Sequence, residues 1–197
     1  SEGEAGASEN ANALPVARQQ ETAAMTPVER LAAKADGKQW ELVENQRGIT
    51  YYKLFGPYLA GAKKIVVEDA YVRKPYQLRN LAEFLEMLLR CKKPDEDVAV
   101  HLVTGHNDPG FVEAQLNGLN ELASAFSQLG VNLTYEFRDT LHDRSITADT
   151  GWEILPGRGL DIFQKFVDGD WLNPLLRHQQ LRRVKECKVT YQRVSEK

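Results

Sequence analysis

Three side chains in the second half of the chain, His142, Arg144 and Asp149, have the types and spacing needed to handle a phosphodiester. In the order His-x-Arg-x-x-x-x-Asp, an imidazole can attack phosphorus, a guanidinium can hold a phosphate oxygen, and a carboxylate can orient the imidazole. The chemistry also needs a group that protonates the leaving oxygen, and the chain carries the motif once. The motif therefore predicts a catalytic site completed by a second copy, a retained anion-binding pocket, or a structural ion pair of Arg144 with Asp149 or Asp161.

A glycine-rich turn follows the motif and could form part of the same pocket. Gly157 and Gly159 flank Arg158, and Asp161 comes shortly afterwards. Glycine lets backbone N–H groups approach an anion closely. Arg158 could hold the same phosphate as Arg144, because a guanidinium keeps its charge in any pocket.

Another group of polar residues follows a predicted strand and runs into a predicted helix. Asp69, Tyr71 and Arg73 lie in the connection, and Gln77 and Asn80 follow at helical spacing from Arg73. These side chains could support the anion pocket. The other interpretation is a capping and turn network at the start of the helix.

The chain divides into an N-terminal tail, residues 1–25, and one domain, residues 26–197. The tail is rich in Ala, Glu, Ser, Asn and Gln and has no aromatic side chain, so it cannot bury enough apolar area to offset the entropy of ordering. We predict that the tail is disordered. It also carries the whole net charge of −3, so the domain is neutral and any anion site must be local.

Cysteine usage and hydropathy indicate the cellular setting. No signal peptide and no membrane-spanning apolar run is evident, and the two cysteines, Cys91 and Cys187, lack metal-binding or disulfide spacing. We expect a cytoplasmic protein, with peripheral association with membranes as an option, that uses no metal and no cofactor. Because the chain opens on Ser and a linker-like segment, we expect it to be the C-terminal piece of a longer protein whose upstream domains are missing.

The hydrophobic pattern predicts an α/β fold, with a mixed sheet and helices packed on it. Thr26-Pro27-Val28-Glu29 predicts a capped helix start. Strand-like residues 40–44 and 49–54, joined by a turn, predict a β-hairpin. The other predicted elements are strand 62–68, helix 75–90, strand 98–104, helix 109–129, strand 131–137 and strand 188–193.

The candidate site residues fall near the ends of predicted strands. Asp69, Gly105 and His142 each lie there, and α/β proteins bind ligands at such positions. Two further histidines receive other interpretations. His101 is predicted in the core, and His106 is predicted to be exposed, with no metal ligand nearby in the sequence.

Four segments together resemble the C-terminal domain of MIT-domain-containing proteins. They read GITYYKLFGPYL, VEDAYVRKPYQLRNLAEFLEML, HLVTG and LHDRSITADTGWEILPGRGLDIFQK, and the resemblance covers roughly residues 48–190. It implies a phospholipase D-like fold that is catalytically silent, forms dimers and binds acidic phospholipid headgroups. It also implies a role in late cell division, beside an MIT helix bundle that grips membrane-remodelling filaments. Residues 1–25 contain no such bundle, and Asp149 completes a catalytic pattern that the resemblance does not imply.

These observations lead to one functional prediction and two alternatives. The prediction is a non-catalytic phospholipase D-like module that forms a homodimer and binds an anionic lipid headgroup or a nucleic-acid phosphate. The first alternative is a metal-independent phosphodiesterase or nuclease, active as a dimer through His142. The second is a protein–protein docking domain.

Overall fold

The computed structural model describes residues 23–165 and 172–194, so the predicted tail lies almost wholly outside the described residues. Short 3-10 turns precede α5 and follow α6. The helices and strands in chain order are α1 (Pro27–Ala32), β1 (Trp40–Leu42), α2 (Tyr51–Leu54), α3 (Gly56–Leu59), β2 (Lys64–Glu68), α4 (Pro75–Cys91), β3 (Val98–Thr104), α5 (Val112–Ser127), β4 (Val131–Phe137), β5 (Ser145–Ala148), β6 (Trp152–Pro156), α6 (Pro174–Arg177) and β7 (Cys187–Arg193).

The strands form a mixed sheet in the order β1-β7-β6-β5-β2-β3-β4. Strands β2, β3 and β4 are parallel, and parallel neighbours need a crossover connection, which α4 and α5 provide. Their carboxyl ends therefore meet at one edge of the sheet. Strand β5 runs antiparallel to β2, with Ser145 opposite Glu68, so β5 begins at this edge and the antiparallel β6 ends there. We call it the C-terminal edge.

The hydrophobic core lies on one face of the sheet. Ile65 and Val67 on β2, together with Leu102 on β3, are buried in the same cluster as the apolar side of α4. Because side chains alternate along a strand, the residues between them face the opposite way. On that side Val66 is 39% exposed and Ala99 is exposed, and the described helices do not cover them. We call this side the uncovered face.

Several predictions about local structure are confirmed. The capping box at α1 is present, because the Thr26 hydroxyl accepts from Glu29 N and the Glu29 carboxylate accepts from Thr26 N. Strands β3 and β4 have the predicted bounds. The predicted α/β class, with helices packed on a mixed sheet, is also confirmed.

The predicted hairpin is wrong. Strand β1 pairs with β7 instead, and the segment after the turn forms α2, capped by the Thr50 hydroxyl. The helical turn places Tyr51, Leu54 and Phe55 together in the core, which an alternating strand cannot do. Strands β5 and β6 were not predicted, although they surround the motif of interest.

Candidate functional site

Asp69 is the buried anchor of the C-terminal edge. Its side chain follows β2 and is 3% exposed. One carboxylate oxygen accepts from Tyr71 N at 3.0 Å and the other accepts from Leu160 N at 3.1 Å. Burial raises the pKa of this carboxyl above its ordinary value, while the two hydrogen bonds and the charge of Arg144 act in the opposite direction.

Arg144 is held beside Asp69 by that carboxylate and by an aromatic ring. Its Nε lies 3.8 Å from Asp69 Oδ1, and its guanidinium carbon lies 4.7 Å from the centre of the Tyr71 ring. The predicted ion pair of Arg144 therefore exists, but its partner is Asp69, and neither Asp149 nor Asp161 takes that place.

Arg73 approaches the same ring from the connection between β2 and α4. Its guanidinium carbon lies 5.2 Å from the Tyr71 ring centre, and its Nε donates to Ala70 O at 2.6 Å. A side chain at Gly105 would clash with it, since a Cβ there would lie 2.3 Å from an Arg73 terminal nitrogen. Gly105 is therefore what lets the arginine lie against the end of β3.

His142 and Asp149 do not come together. His142 is exposed and precedes β5, whereas Asp149 follows β5 and accepts a hydrogen bond from Lys63 N at 3.0 Å. The four-residue strand between them spans about 13 Å. Asp149 thus supports the opposite edge of the sheet, and it cannot orient the His142 imidazole.

The N–H groups of both glycines in the turn are already used within the protein. The N–H of Gly157 donates to Lys188 O, the N–H of Gly159 donates to Pro156 O, and the next N–H donates to Asp69. Arg158 Nε donates to Glu186 O at 3.0 Å, just before the start of β7. The anion-binding role of Gly157, Arg158 and Gly159 stays a prediction, and it would have to use the Arg158 side chain because the glycine N–H groups are taken.

The supporting residues on and near α4 form the capping network. Gln77 accepts hydrogen bonds from the N–H groups of Arg73 and Lys74, at 3.0 and 2.9 Å, and closes the start of the helix. Asp161 pairs with Lys185 at 3.0 Å. Asn80 is buried and lines a very small cavity beside Asp161. Of these residues, Gln77 is the one that fixes the helix start following Arg73.

Sequence reasoning missed a histidine–aspartate pair at this edge. Asp139 follows β4, and both of its carboxylate oxygens lie within hydrogen-bonding distance of His106 Nδ1. The pair is distant in sequence, so only the parallel register of β3 and β4 could have revealed it. His101, predicted in the core, instead lies on the uncovered face beside Thr134 and Glu136.

No three His, Cys, Asp or Glu side chains among the described residues are placed as metal ligands. In the same part of the chain, no helix combines the length and the apolar composition that a bilayer crossing needs. The candidate site is therefore a cluster of side chains formed by Asp69, Tyr71, Arg73 and Arg144. The pair of His106 and Asp139 lies at the same edge of the sheet.

The structure thus combines a mixed sheet, a His-x-Arg segment that enters β5, and a glycine turn that closes over Asp69. Residues 48–193 match the family described as a phospholipase D-like domain at the C-terminus of MIT, and the chain belongs to that family. It is also similar to MIT domain-containing protein 1 of Mus musculus, with 39% identity over 137 residues. That match covers 67% of this chain and 54% of the mouse protein, so the chain spans about half the length of this relative.

Proposed function

We propose that this domain is a non-catalytic module that binds phosphate groups of anionic lipid headgroups at the cytoplasmic surface of a membrane. The observation that carries the proposal is the convergence of Arg73 and Arg144 on the half-exposed Tyr71 ring. Each arginine is fixed through its Nε. Within the described part of the chain, no hydrogen bond engages the terminal nitrogens of either guanidinium. Planar, pre-positioned donors of this kind suit phosphate oxygens.

The surroundings of His142 favour binding over catalysis. A histidine that attacks phosphorus needs a partner that fixes its ring, and a second group must protonate the leaving oxygen. His142 is exposed, and no hydrogen bond within the described residues holds its imidazole. Asp149, the carboxylate expected to orient it, caps Lys63 at the other end of β5.

A membrane surface fits the site better than a nucleic acid does. Phe111, in the loop that follows β3, is 61% exposed, and Tyr71 at the end of β2 is 48% exposed. Exposed aromatic side chains beside cations suit the membrane–water interface, where the ring contacts apolar lipid and the charged groups stay in water. A nucleic-acid strand needs an extended basic surface, whereas acidic groups interrupt this one: Glu68 pairs with Arg138, and the charge of Arg73 acts on Asp139.

The direct test measures vesicle binding by co-sedimentation, using phosphatidylcholine vesicles with and without anionic lipid. Arg144→Ala should weaken binding by about 1.5–3 kcal/mol, the range for a hydrogen bond to a charged group, and Arg144→Lys should recover part of it. The control is Arg193→Ala, which removes an exposed arginine that stacks on Trp152 at the other end of the sheet. An equal loss of vesicle affinity in both variants would show that only the net positive charge matters, and it would contradict the proposal.

Two parallel measurements separate the competing functions. If single-stranded DNA binds more tightly than vesicles and depends on Arg144, the ligand is a nucleic acid. If wild type binds neither, the result favours the protein–protein docking alternative. The enzyme alternative predicts hydrolysis of bis-p-nitrophenyl phosphate that survives a chelator and disappears in His142→Asn. We expect no turnover above the His142→Asn background.

We also propose that the domain forms a homodimer through the uncovered face. Parallel strands normally have both faces covered, yet Val66 in the parallel half of the sheet is 39% exposed. The strand that carries it begins at Lys64 and ends at Glu68. An antiparallel two-fold arrangement would place each lysine opposite the partner's acidic end. It would also keep the two His142 side chains at opposite ends of the assembly.

Analytical ultracentrifugation tests this dimer. Val66→Glu should shift the wild-type dimer towards the monomer, because it introduces facing like charges into the centre of the interface. Val43→Glu is the control, since Val43 is 65% exposed near β1 and lies outside the uncovered face. A wild-type chain that sediments as a monomer at high concentration would contradict this part of the proposal.

A further inference from the structure

The imidazole of His106 is held by two groups at the C-terminal edge, the Asp139 carboxylate and the Phe137 ring. Its Nδ1 lies 3.1 and 3.0 Å from the two oxygens of Asp139, and its backbone N–H donates to the same carboxylate at 2.8 Å. The ring also stacks on Phe137, with a centroid separation of 4.1 Å and an interplanar angle of 19°. A side chain at the surface that is held this firmly has lost its rotational freedom before any ligand arrives.

This arrangement determines which ring nitrogen is available. Because a carboxylate accepts hydrogen bonds, Nδ1 carries the proton that bonds Asp139. Nε2 has no partner among the described residues, and 43% of the side chain is exposed. The free nitrogen of a carboxylate-held imidazole is therefore presented to solvent in a fixed orientation.

His106 also lies directly beside the arginine site. It follows Gly105, whose missing side chain makes room for the terminal nitrogen of Arg73. The charge of Arg73 acts on Asp139 as well, which places the arginine and the histidine–aspartate pair in one electrostatic cluster. Arg73 thus contacts the Tyr71 ring that Arg144 shares, and it also lies against Gly105, the residue before His106.

We propose that His106 and Arg73 form a subsite for a phosphomonoester, next to the Arg144 position that takes a phosphodiester. The ligand class is a headgroup that carries both, such as an inositol lipid phosphorylated on its ring. The proposal rests on the proposed function, because it divides that same site into two positions. It goes further because it assigns a binding role to His106, a residue outside the His-x-Arg-x-x-x-x-Asp motif.

The proton chemistry explains the preference for a monoester. A phosphomonoester keeps a second proton with a pKa of about 6, whereas a diester linkage has no such proton. Nε2 and a monoester oxygen can therefore share one proton in a hydrogen bond, with the proton on either the nitrogen or the oxygen. A diester oxygen can only accept, so it gains from His106 only when the ring is doubly protonated.

The test compares two soluble headgroups by isothermal titration calorimetry. Glycerophosphoinositol carries a diester alone, and glycerophosphoinositol 4-phosphate carries a diester and a monoester. Wild type should prefer the 4-phosphate by roughly tenfold or more, as expected for one hydrogen bond to a charged group. His106→Gln should remove that preference and leave glycerophosphoinositol binding unchanged. His178→Gln is the control, because His178 is exposed beside α4, away from this edge.

A second arm uses vesicles that contain phosphatidylinositol or its 4-phosphate, so that free and membrane-bound headgroups are distinguished. A nitrogen-detected NMR spectrum of the ring should also show a shift at His106 Nε2 when the monoester binds. A purely structural histidine would give no such shift.

The outcomes separate the two proposals. If neither headgroup binds and Arg144→Ala changes nothing, the proposed function itself fails. If both headgroups bind through Arg144 with equal affinity, or if His106→Gln keeps the preference for the monoester, the proposed function stands and the monoester subsite is wrong.

Discussion

The carboxylate of Asp69 lies so close to the backbone of Gly159 that a Cβ at residue 159 would stand 2.0 Å from Asp69 Oδ2. Gly159 also has a φ of +61°, which side-chain-bearing residues rarely adopt. The same Cβ would lie 3.2 Å from the Arg144 side chain. The turn after β6 therefore closes over the buried Asp69 carboxylate. Gly159 is needed there because a Cβ would clash with that carboxylate and because the backbone has a positive φ.

Gly159→Ala should consequently destabilise the domain by about 2–4 kcal/mol, through backbone strain and the contact with Asp69. Urea denaturation followed by circular dichroism measures the loss. Gly48→Ala is the matched control, because Gly48 has a φ of +83° with nothing within 4 Å of its Cβ position. That control should cost only about 1 kcal/mol of backbone strain. Equal losses of unfolding free energy in both variants would show that the Asp69 side chain can move aside at little cost.

The exposed ring of Phe111 should contribute to membrane binding without affecting headgroup recognition. Phe111→Ser removes apolar area that enters the interfacial layer, so vesicle affinity should fall by roughly tenfold. Binding of a soluble headgroup should stay unchanged. Leu129→Ser provides the comparison, because Leu129 is 53% exposed just before β4, at the opposite edge. A loss of soluble headgroup affinity in Phe111→Ser would mean that this loop shapes the site itself.

The raised pKa of Asp69 predicts a particular pH dependence of stability. A carboxyl whose pKa is higher in the folded state binds more protons there than in the unfolded chain, so stability decreases as pH rises through that interval. The interval begins at the ordinary value of 3.8 and ends at the raised pKa. Wild type should therefore lose stability relative to Asp69→Asn as pH rises across this range, and the difference should then level off.

Chemical denaturation of both proteins between about pH 4 and pH 8 checks this prediction. A wild type that gains stability relative to Asp69→Asn with rising pH would indicate the reverse balance. The ion pair with Arg144 and the two backbone hydrogen bonds would then outweigh the cost of burial.

Removal of residues 1–22 should leave the thermal midpoint nearly unchanged, because they have no aromatic side chain and few large apolar ones that could dock on the domain. Differential scanning calorimetry of the shortened chain is the measurement. A decrease of more than roughly 4 °C, which corresponds to about 1 kcal/mol, would show that this segment packs on the domain.

Much of the fold follows from local patterns. Strands β3 and β4 and the start of α1 were predicted because their signals are complete within a few residues. These signals are an apolar run ended by a glycine for β3, alternation of apolar and polar residues for β4, and a capping box for α1. The hairpin failed because Thr50 competes as a helix cap and the core accepts a helical face. Strands β5 and β6 were missed because they are short, at four and five residues, and their pairing depends on distant neighbours.

The candidate site likewise has features that local sequence predicts and features that depend on distant contacts. The amino-acid sequence alone determined the presence of Arg144, Asp69, Tyr71 and Arg73 near strand ends, since order along the chain is enough to place residues there. Only the tertiary structure decided which of them meet. Strand β5 carries Asp149 to the far edge while β2 brings Asp69 beneath Arg144. Parallel pairing of β3 with β4 brings Asp139 to His106. Contacts between side chains distant in sequence depend on sheet order and register, and no local spacing encodes either.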